Sequence, residues 1–209
     1  MLDIYVITAN SPESTKYDIF ARLNKGAEKL KVNEIRRAIY HSNVMCEVVK
    51  FVNEHISDSA QPELKKEYES IFSKNDIIRF EDYGRFYRSI AFCIQSDLSS
   101  NIVTDYNSRP REMINSVLQA LQEKKLSIDE KEIRSILEKT ILLKKAITGK
   151  TNDYIIDSFI PFAINDLDKL MSLKDKIIAD DNFQSTLQRS PATTSNVNKR
   201  LEIISRYLE

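Results

Sequence analysis

Seven positions of the sequence carry residues suited to binding phosphate, and they fall into three groups. The first group is Arg22, Asn24 and Gly26, where an arginine precedes an Asn-Lys-Gly turn. An arginine fork binds phosphate oxygens, and an Asn-Gly turn presents backbone amides. These three residues are therefore a candidate nucleotide- or phosphate-binding site. The alternative is structural: Arg22 pairs with an acidic neighbour such as Glu34, and Asn24 only shapes the turn.

The other two groups, Arg36 with Arg37 and Arg85 with Arg88, are candidate nucleic-acid-binding residues. Adjacent helical residues point about 100 degrees apart, so Arg36 and Arg37 do not form one clamp, and a solvated helix face is the simpler interpretation. Arg85 and Arg88 stand among aromatic residues. This mixture suits nucleic acid, because arginine neutralises phosphate and aromatic rings stack on unpaired bases. The same aromatics recur at helical spacing, which is also typical of a buried core.

No residues show the spacing of a catalytic or metal site. Cys46 and Cys93 lie far apart on apolar helical patterns without a histidine at metal spacing, so we expect both to be buried thiols. The acidic pairs at residues 129–130 and 180–181 are typical of helix ends. We therefore predict no catalytic residue, no metal ligand and no cofactor in this chain.

The composition favours a helical protein whose net charge does not attract it to polyanions such as DNA. The chain has 209 residues, 42% of them hydrophobic, and 31 basic residues balance 31 acidic ones. Binding to DNA would therefore require a local basic patch. Only three glycines and five prolines occur, which favours helices over tight hairpins. We find no membrane-spanning run and no signal-peptide pattern, and we expect a cytoplasmic protein that does not bind membranes.

The hydrophobic periodicity predicts one strand followed by eight or nine helices. "LDIYVITA" near the start alternates and is rich in β-branched residues, so it indicates a strand that needs a partner sheet. In the first half of the chain, we expect helices from Val32, divided in two near "YHSN", then from Pro62 through Phe72 and from Asp82 to about Leu98. The next helix begins at Ser108 or Arg109, and another runs from a capping box of Ser127 and Glu130 to about Ile147. The last predicted helices begin at Asn152, with a kink or division at Pro161, run from Asp166 to Ile178, and end with one that includes Leu208.

The segment "IFARLNKGAEKLKVNEIRRAIY" resembles the characteristic motif of the GmrSD-type restriction endonuclease N-terminal domain family. The matching residues are Phe20, Arg22, Leu23, Asn24, Gly26, Leu30, Glu34, Ile35 and Arg36. "RFYRSIAF" and "TTSNVNKRLEI" are weaker matches further along. The resemblance implies a ParB-like α/β domain followed by a helical lobe, and a role in prokaryotic defence against foreign DNA. It also implies nucleotide-dependent nuclease activity in complete members, with a nucleoside triphosphate and a divalent metal as possible cofactors.

The chain departs from that family pattern in ways that affect function. The DGQQR-type motif of the α/β domain is absent, and Ala21 replaces a common glutamate. Lys31 stands where the family has a capping asparagine, which costs on the order of 1 kcal/mol, although Glu34 can reach back toward the helix start. We therefore expect a mainly α multi-helix bundle with one N-terminal β-strand orphaned from a missing ParB-like α/β domain. Residues 1–30 would be the end of that domain and residues 31–209 the helical lobe.

Three functional hypotheses follow. In the first, the helical lobe supports a nucleotide- or DNA-processing site whose catalytic half is absent, so the chain alone is inactive as a nuclease or NTPase. In the second, a non-catalytic adaptor or regulator docks "LDIYVITA" on the sheet of an α/β partner. In the third, the chain is a helical nucleic-acid-binding module.

Overall fold

A computed structural model describes Thr15, Ile19 and residues 30–149 and 152–209. The strand predicted for "LDIYVITA" and the turn at residues 24–26 lie outside these residues. The prediction about the orphaned strand therefore stays a prediction.

The described residues form a mainly α structure, as predicted. Eleven helices and two very short strands follow in the order α1 Val32–Ile39, α2 Asn43–Ile56, α3 Pro62–Ile71, α4 Lys74–Ile78, α5 Glu81–Gln95, β1 Ser96–Asp97, β2 Ile102–Val103, α6 Pro110–Gln122, α7 Glu130–Ala146, α8 Asn152–Asn165, α9 Leu167–Ala179, α10 Asp181–Gln188 and α11 Thr194–Leu208. No helix formed by these residues combines the length and the apolar character that crossing a lipid bilayer requires.

Local capping chemistry sets most helix starts. Pro62 and Pro110 open their helices, where the missing amide hydrogen costs nothing. The Asp180 carboxylate accepts from the backbone amides of Asn182 and Phe183, which confirms that this acidic pair marks a helix end. At α1, Lys31 makes no side-chain cap, and its backbone amide instead donates to the Glu34 carboxylate, as predicted.

Two boundaries differ from prediction. The cap of α7 is Asp129, which accepts from the Glu132 amide, and the capping box predicted at Ser127 is therefore wrong. The helix predicted to reach Leu98 ends at Gln95, because β1 pairs with β2 in an antiparallel ladder. Of the two outcomes predicted for Pro161, division does not occur, because α8 continues to Asn165. The start predicted for the next helix agrees with the structure, in which the Asp166 side chain caps α9.

The core forms around α5, which packs against α6, α7 and α8. Its aromatic face, predicted from helical spacing, is buried: Tyr83, Phe86 and Tyr87 are each at most 4% exposed. The structural interpretation of these aromatics is therefore confirmed. The two cysteines differ, since Cys46 is exposed and Cys93 is half-buried. The prediction of a buried Cys46 is wrong, because this residue lies on the outward side of α2.

Candidate functional site

A cleft of about 650 Å³ opens where α1, α5 and α6 meet. Val32, Phe72 and Ile114 contribute apolar parts of its lining. Among the described residues, six cationic side chains line it against three acidic ones. The cations are Lys31, Arg36, Arg85, Arg88, Arg111 and Lys144, and the acids are Asp76, Glu81 and Asp153. The cleft therefore carries a local excess of positive charge in a chain that has no net charge.

The α5 wall of the cleft is a buried ion cluster. Arg85 and Arg88 are three residues apart, so both side chains lie on one face of α5 and reach Asp157 of α8. Arg85 Nη2 donates to Asp157 Oδ1 at 2.7 Å, and Arg88 Nε lies 2.8 and 2.9 Å from the two carboxylate oxygens. Arg88 Nη2 donates to the same carboxylate. One carboxylate that is only 1% exposed thus fixes two guanidinium groups at the cleft.

This arrangement keeps all three groups charged. Burial raises the pKa of Asp157, but the charges of Arg88 and Arg85 outweigh burial and hold that pKa below its ordinary value. Burial likewise opposes the charge of Arg88, yet the Asp157 carboxylate more than offsets it and raises the Arg88 pKa. The cluster therefore holds two cations against one buried anion at neutral pH.

A third guanidinium lies behind this wall. Arg200 is fully buried, and its Nε donates to Ser158 Oγ at 2.9 Å. Burial lowers its pKa to about 10, so it stays protonated at neutral pH. Among the described residues, no carboxylate lies within ion-pair distance of Arg200. Arg200 therefore adds a third positive charge that interacts with Asp157.

The α1 wall is built by Asn33 and Arg36. Arg36 is only 4% exposed, and its Nε donates to Asn115 Oδ1 of α6 at 2.9 Å. Its Nη1 donates to Asn33 Oδ1 at 2.9 Å, while Asn33 Nδ2 donates to Glu81 Oε2 of α5 at the same distance. The prediction of a solvated face is wrong for Arg36, because its guanidinium is buried and hydrogen-bonded to residues of α6.

Gly84 permits the close approach of α1 to α5. A Cβ atom at this position would lie 2.3 Å from Asn33 Nδ2 and 2.7 Å from Asn33 Cγ and Oδ1. These distances are well inside van der Waals contact, so only glycine fits beside Asn33 as it is placed here. Gly84 thus has a packing role that its helical position alone does not suggest.

Arg37 is not among the residues that line the cleft. Its guanidinium lies 4.3 Å from the centroid of the Phe80 ring and 4.5 Å from that of Tyr83, a double cation-π contact. Phe80 itself has a left-handed backbone with φ of 56° at the start of α5. Arg37 is half-buried, so the solvated helix face predicted for it is also wrong.

A second buried carboxylate lies nearby on α5. Asp82 is fully buried, and it accepts from the Tyr68 hydroxyl at 2.7 Å and from the Tyr83 amide at 2.9 Å. Burial raises the pKa of Asp82 to about 6, although both hydrogen bonds oppose that rise. The charge of Asp82 therefore changes near pH 6, within the pH range of ordinary protein experiments.

The structure brings Arg36, Arg85 and Arg88 together at one cleft and separates Arg37 from them. Arg22, Asn24 and Gly26 lie outside the described residues. Sequence reasoning did not identify Asp157 or Asn33. An acidic residue inside the apolar run "IIDSFIPF" was the available signal, because a buried carboxylate requires a cationic partner.

The charged donors that line this cleft are suited to contact an anion. The part of the chain that the structure describes contains no group of histidine, cysteine and carboxylate side chains placed to hold a metal ion. The described residues that line the cleft include no serine, threonine, cysteine or histidine. Fixed guanidinium groups beside an apolar wall suit an anion that carries an apolar or aromatic part.

Comparisons with models of protein families, with curated proteins and with solved structures identify no match for this chain. The resemblance to the GmrSD-type family therefore stays a prediction that depends on the sequence motifs given above.

Proposed function

We propose that this protein binds a phosphate-bearing ligand of nucleotide size in the basic cleft. The observation that carries the proposal is the excess of cationic over acidic side chains in the lining, with Arg85 and Arg88 already fixed by the buried Asp157. A guanidinium that is held in place loses little conformational entropy on binding, which favours an anion that fits the fixed donors.

Free donors support a phosphate as the bound group. Arg88 turns Nε and Nη2 toward Asp157, and among the described residues its Nη1 has no acceptor. Phosphate oxygens are strong acceptors for arginine, so a phosphate group would satisfy the donor that Arg88 offers.

The size of the cleft favours a small ligand over a duplex. Its volume of about 650 Å³ falls in the range typical of small-molecule sites. The apolar side chains of Val32, Phe72 and Ile114 could contact a base or sugar, while the arginines contact the phosphates. A nucleotide combines both parts in one molecule.

The family resemblance extends this proposal to a biological role. In that setting the helical lobe would hold the phosphates of a nucleoside triphosphate or of foreign DNA, and a ParB-like α/β partner would supply the catalysis. The chain would then act in prokaryotic defence, and these 209 residues alone would show no nuclease or NTPase activity.

Isothermal titration calorimetry with ATP at low ionic strength tests the proposal. A cleft variant replaces Lys31, Arg111 and Lys144 by alanine, and a control variant replaces the exposed Lys124, Lys131 and Lys176. Both variants lose three positive charges, so the comparison is between charges removed inside and outside the cleft. We expect about ten-fold weaker binding or worse for the cleft variant, about 1.4 kcal/mol, and little change for the control.

Two results would overturn the proposal. One is the absence of ATP binding to the wild-type protein, and the other is an equal loss in both variants. A titration of a 20-base-pair duplex is run in parallel. Salt-dependent duplex binding without ATP binding would replace the nucleotide by nucleic acid as the ligand.

A further inference from the structure

We infer that α1 is a strap over the basic cleft, and that ligand binding and the docking of α1 stabilise each other. The inference rests on the proposed function, and it adds a conformational coupling to that site. It begins from the position of α1, which supplies Asn33 and Arg36 to the lining and is preceded by Lys31 at the rim.

The docking surface of α1 is mainly polar. Its three buried residues are Asn33, Ile35 and Arg36, so two of the three hold α1 through hydrogen bonds. An eight-residue helix is marginal by itself and depends on its packing. With little apolar area to bury, α1 gains less from the hydrophobic effect than the core helices do.

Some of the polar contacts that hold α1 are made by residues of the cleft. Asn33 bonds to Glu81, and Arg36 Nη2 donates to the Arg111 carbonyl at 3.3 Å. Asn33, Arg36, Glu81 and Arg111 all line the cleft. A ligand that fills the cleft therefore contacts both sides of this interface, and it would lose one wall if α1 moved away.

Gly84 gives a specific way to weaken the docking. A Cβ at Gly84 would overlap the Asn33 amide, which its bonds to Arg36 and Glu81 hold in place. Gly84→Ala should therefore displace Asn33 and release α1. The overlapping atoms all belong to the end of the Asn33 side chain, so Asn33→Ala removes the obstruction.

The test is hydrogen exchange of the α1 amides, measured together with ATP binding by calorimetry. If ATP binds only the state in which α1 is docked, an ATP concentration about 100-fold above the Kd slows hydrogen exchange of the α1 amides by up to about 100-fold. We expect this slowing at the α1 amides that bond within the helix, while α10, which contributes no residue to the lining of the cleft, keeps its rate. Gly84→Ala should speed α1 exchange without ligand, and it should weaken ATP binding by the factor by which the docked population of α1 falls.

A double-mutant cycle separates the overlap from a general loss of stability. If the overlap with Asn33 is the cause, Gly84→Ala adds no further effect in the Asn33→Ala background. Equal effects of Gly84→Ala in both backgrounds would overturn the strap. So would ATP binding with unchanged α1 exchange, a result that leaves the proposed function standing. Absence of ATP binding would overturn both.

Discussion

The Asp157 carboxylate provides the sharpest test of how the cleft is built. Asp157→Asn keeps the size of the side chain but removes its charge and replaces one oxygen by an NH₂ group. That group would face Arg88 Nε and Nη2, which donate to Asp157 Oδ2 in the wild-type protein, so donors would meet donors. Two bonds to charged groups are lost, at about 1.5–3 kcal/mol each. Breaking a buried ion pair costs about 3–5 kcal/mol. We therefore expect a loss of about 3–5 kcal/mol in the free energy of unfolding.

Urea denaturation followed by circular dichroism measures this loss. Asp153→Asn is the matched control, because Asp153 also faces Arg85, but its side chain is 52% exposed and its carboxylate lies 3.5 Å away. We expect less than about 1 kcal/mol there. A loss below about 1 kcal/mol for Asp157→Asn, or equal losses in both variants, would refute the role assigned to the buried cluster.

The pH dependence of stability follows from the same cluster. The pKa of Asp157 is lower in the folded protein than its ordinary 3.8, so its contribution is complete above pH 3.8. It is lost only as the pH falls through the folded-state value. Asp157→Asn should remove this acid-dependent loss.

Three further predictions concern single residues. Asp82 has its pKa raised from 3.8 to about 6, so its contribution to stability should rise by about 2 kcal/mol as the pH falls from 7 to 4. Urea titrations at pH 7 and pH 4 measure this change in the free energy of unfolding, and Asp82→Asn should abolish it. An unchanged difference in the variant would exclude Asp82 as its source. Lys31→Ser supplies the missing cap of α1 and should stabilise that helix by about 1 kcal/mol, measured as slower α1 hydrogen exchange, while calorimetry shows weaker ATP binding. A thiol reagent should modify exposed Cys46 in the native protein and Cys93 only after unfolding, because burial raises the pKa of Cys93. Equal rates in the native protein would contradict the placement of the two thiols.

Helical periodicity and capping signals were enough to predict most of the fold. The aromatic face of α5 was predicted from its spacing and is buried. Proline at the first helical position was sufficient to place the start of α3. Such signals are local, because a residue and its neighbours three and four positions away share one helix face. The short ladder of β1 and β2 was missed, since two-residue strands leave no alternation to detect.

The candidate site depends on pairs that are far apart in sequence. Arg85 and Asp157 are 72 positions apart, and Arg36 and Asn115 are 79 positions apart. Periodicity within a helix says which residues share a face, but not which other helix that face meets. The arginines could thus be selected as candidates, whereas their partners and their burial could not be predicted.

The sequence by itself determined a mainly helical chain without net charge, with arginines at positions where a phosphate site was conceivable. The tertiary structure decided which of those arginines share a cleft. It stacked Arg37 on two aromatic rings, and it placed Arg85 and Arg88 on one buried carboxylate. The physical reason is that burial of a charge requires a partner, and only the packing of α5 against α8 brings Asp157 within reach.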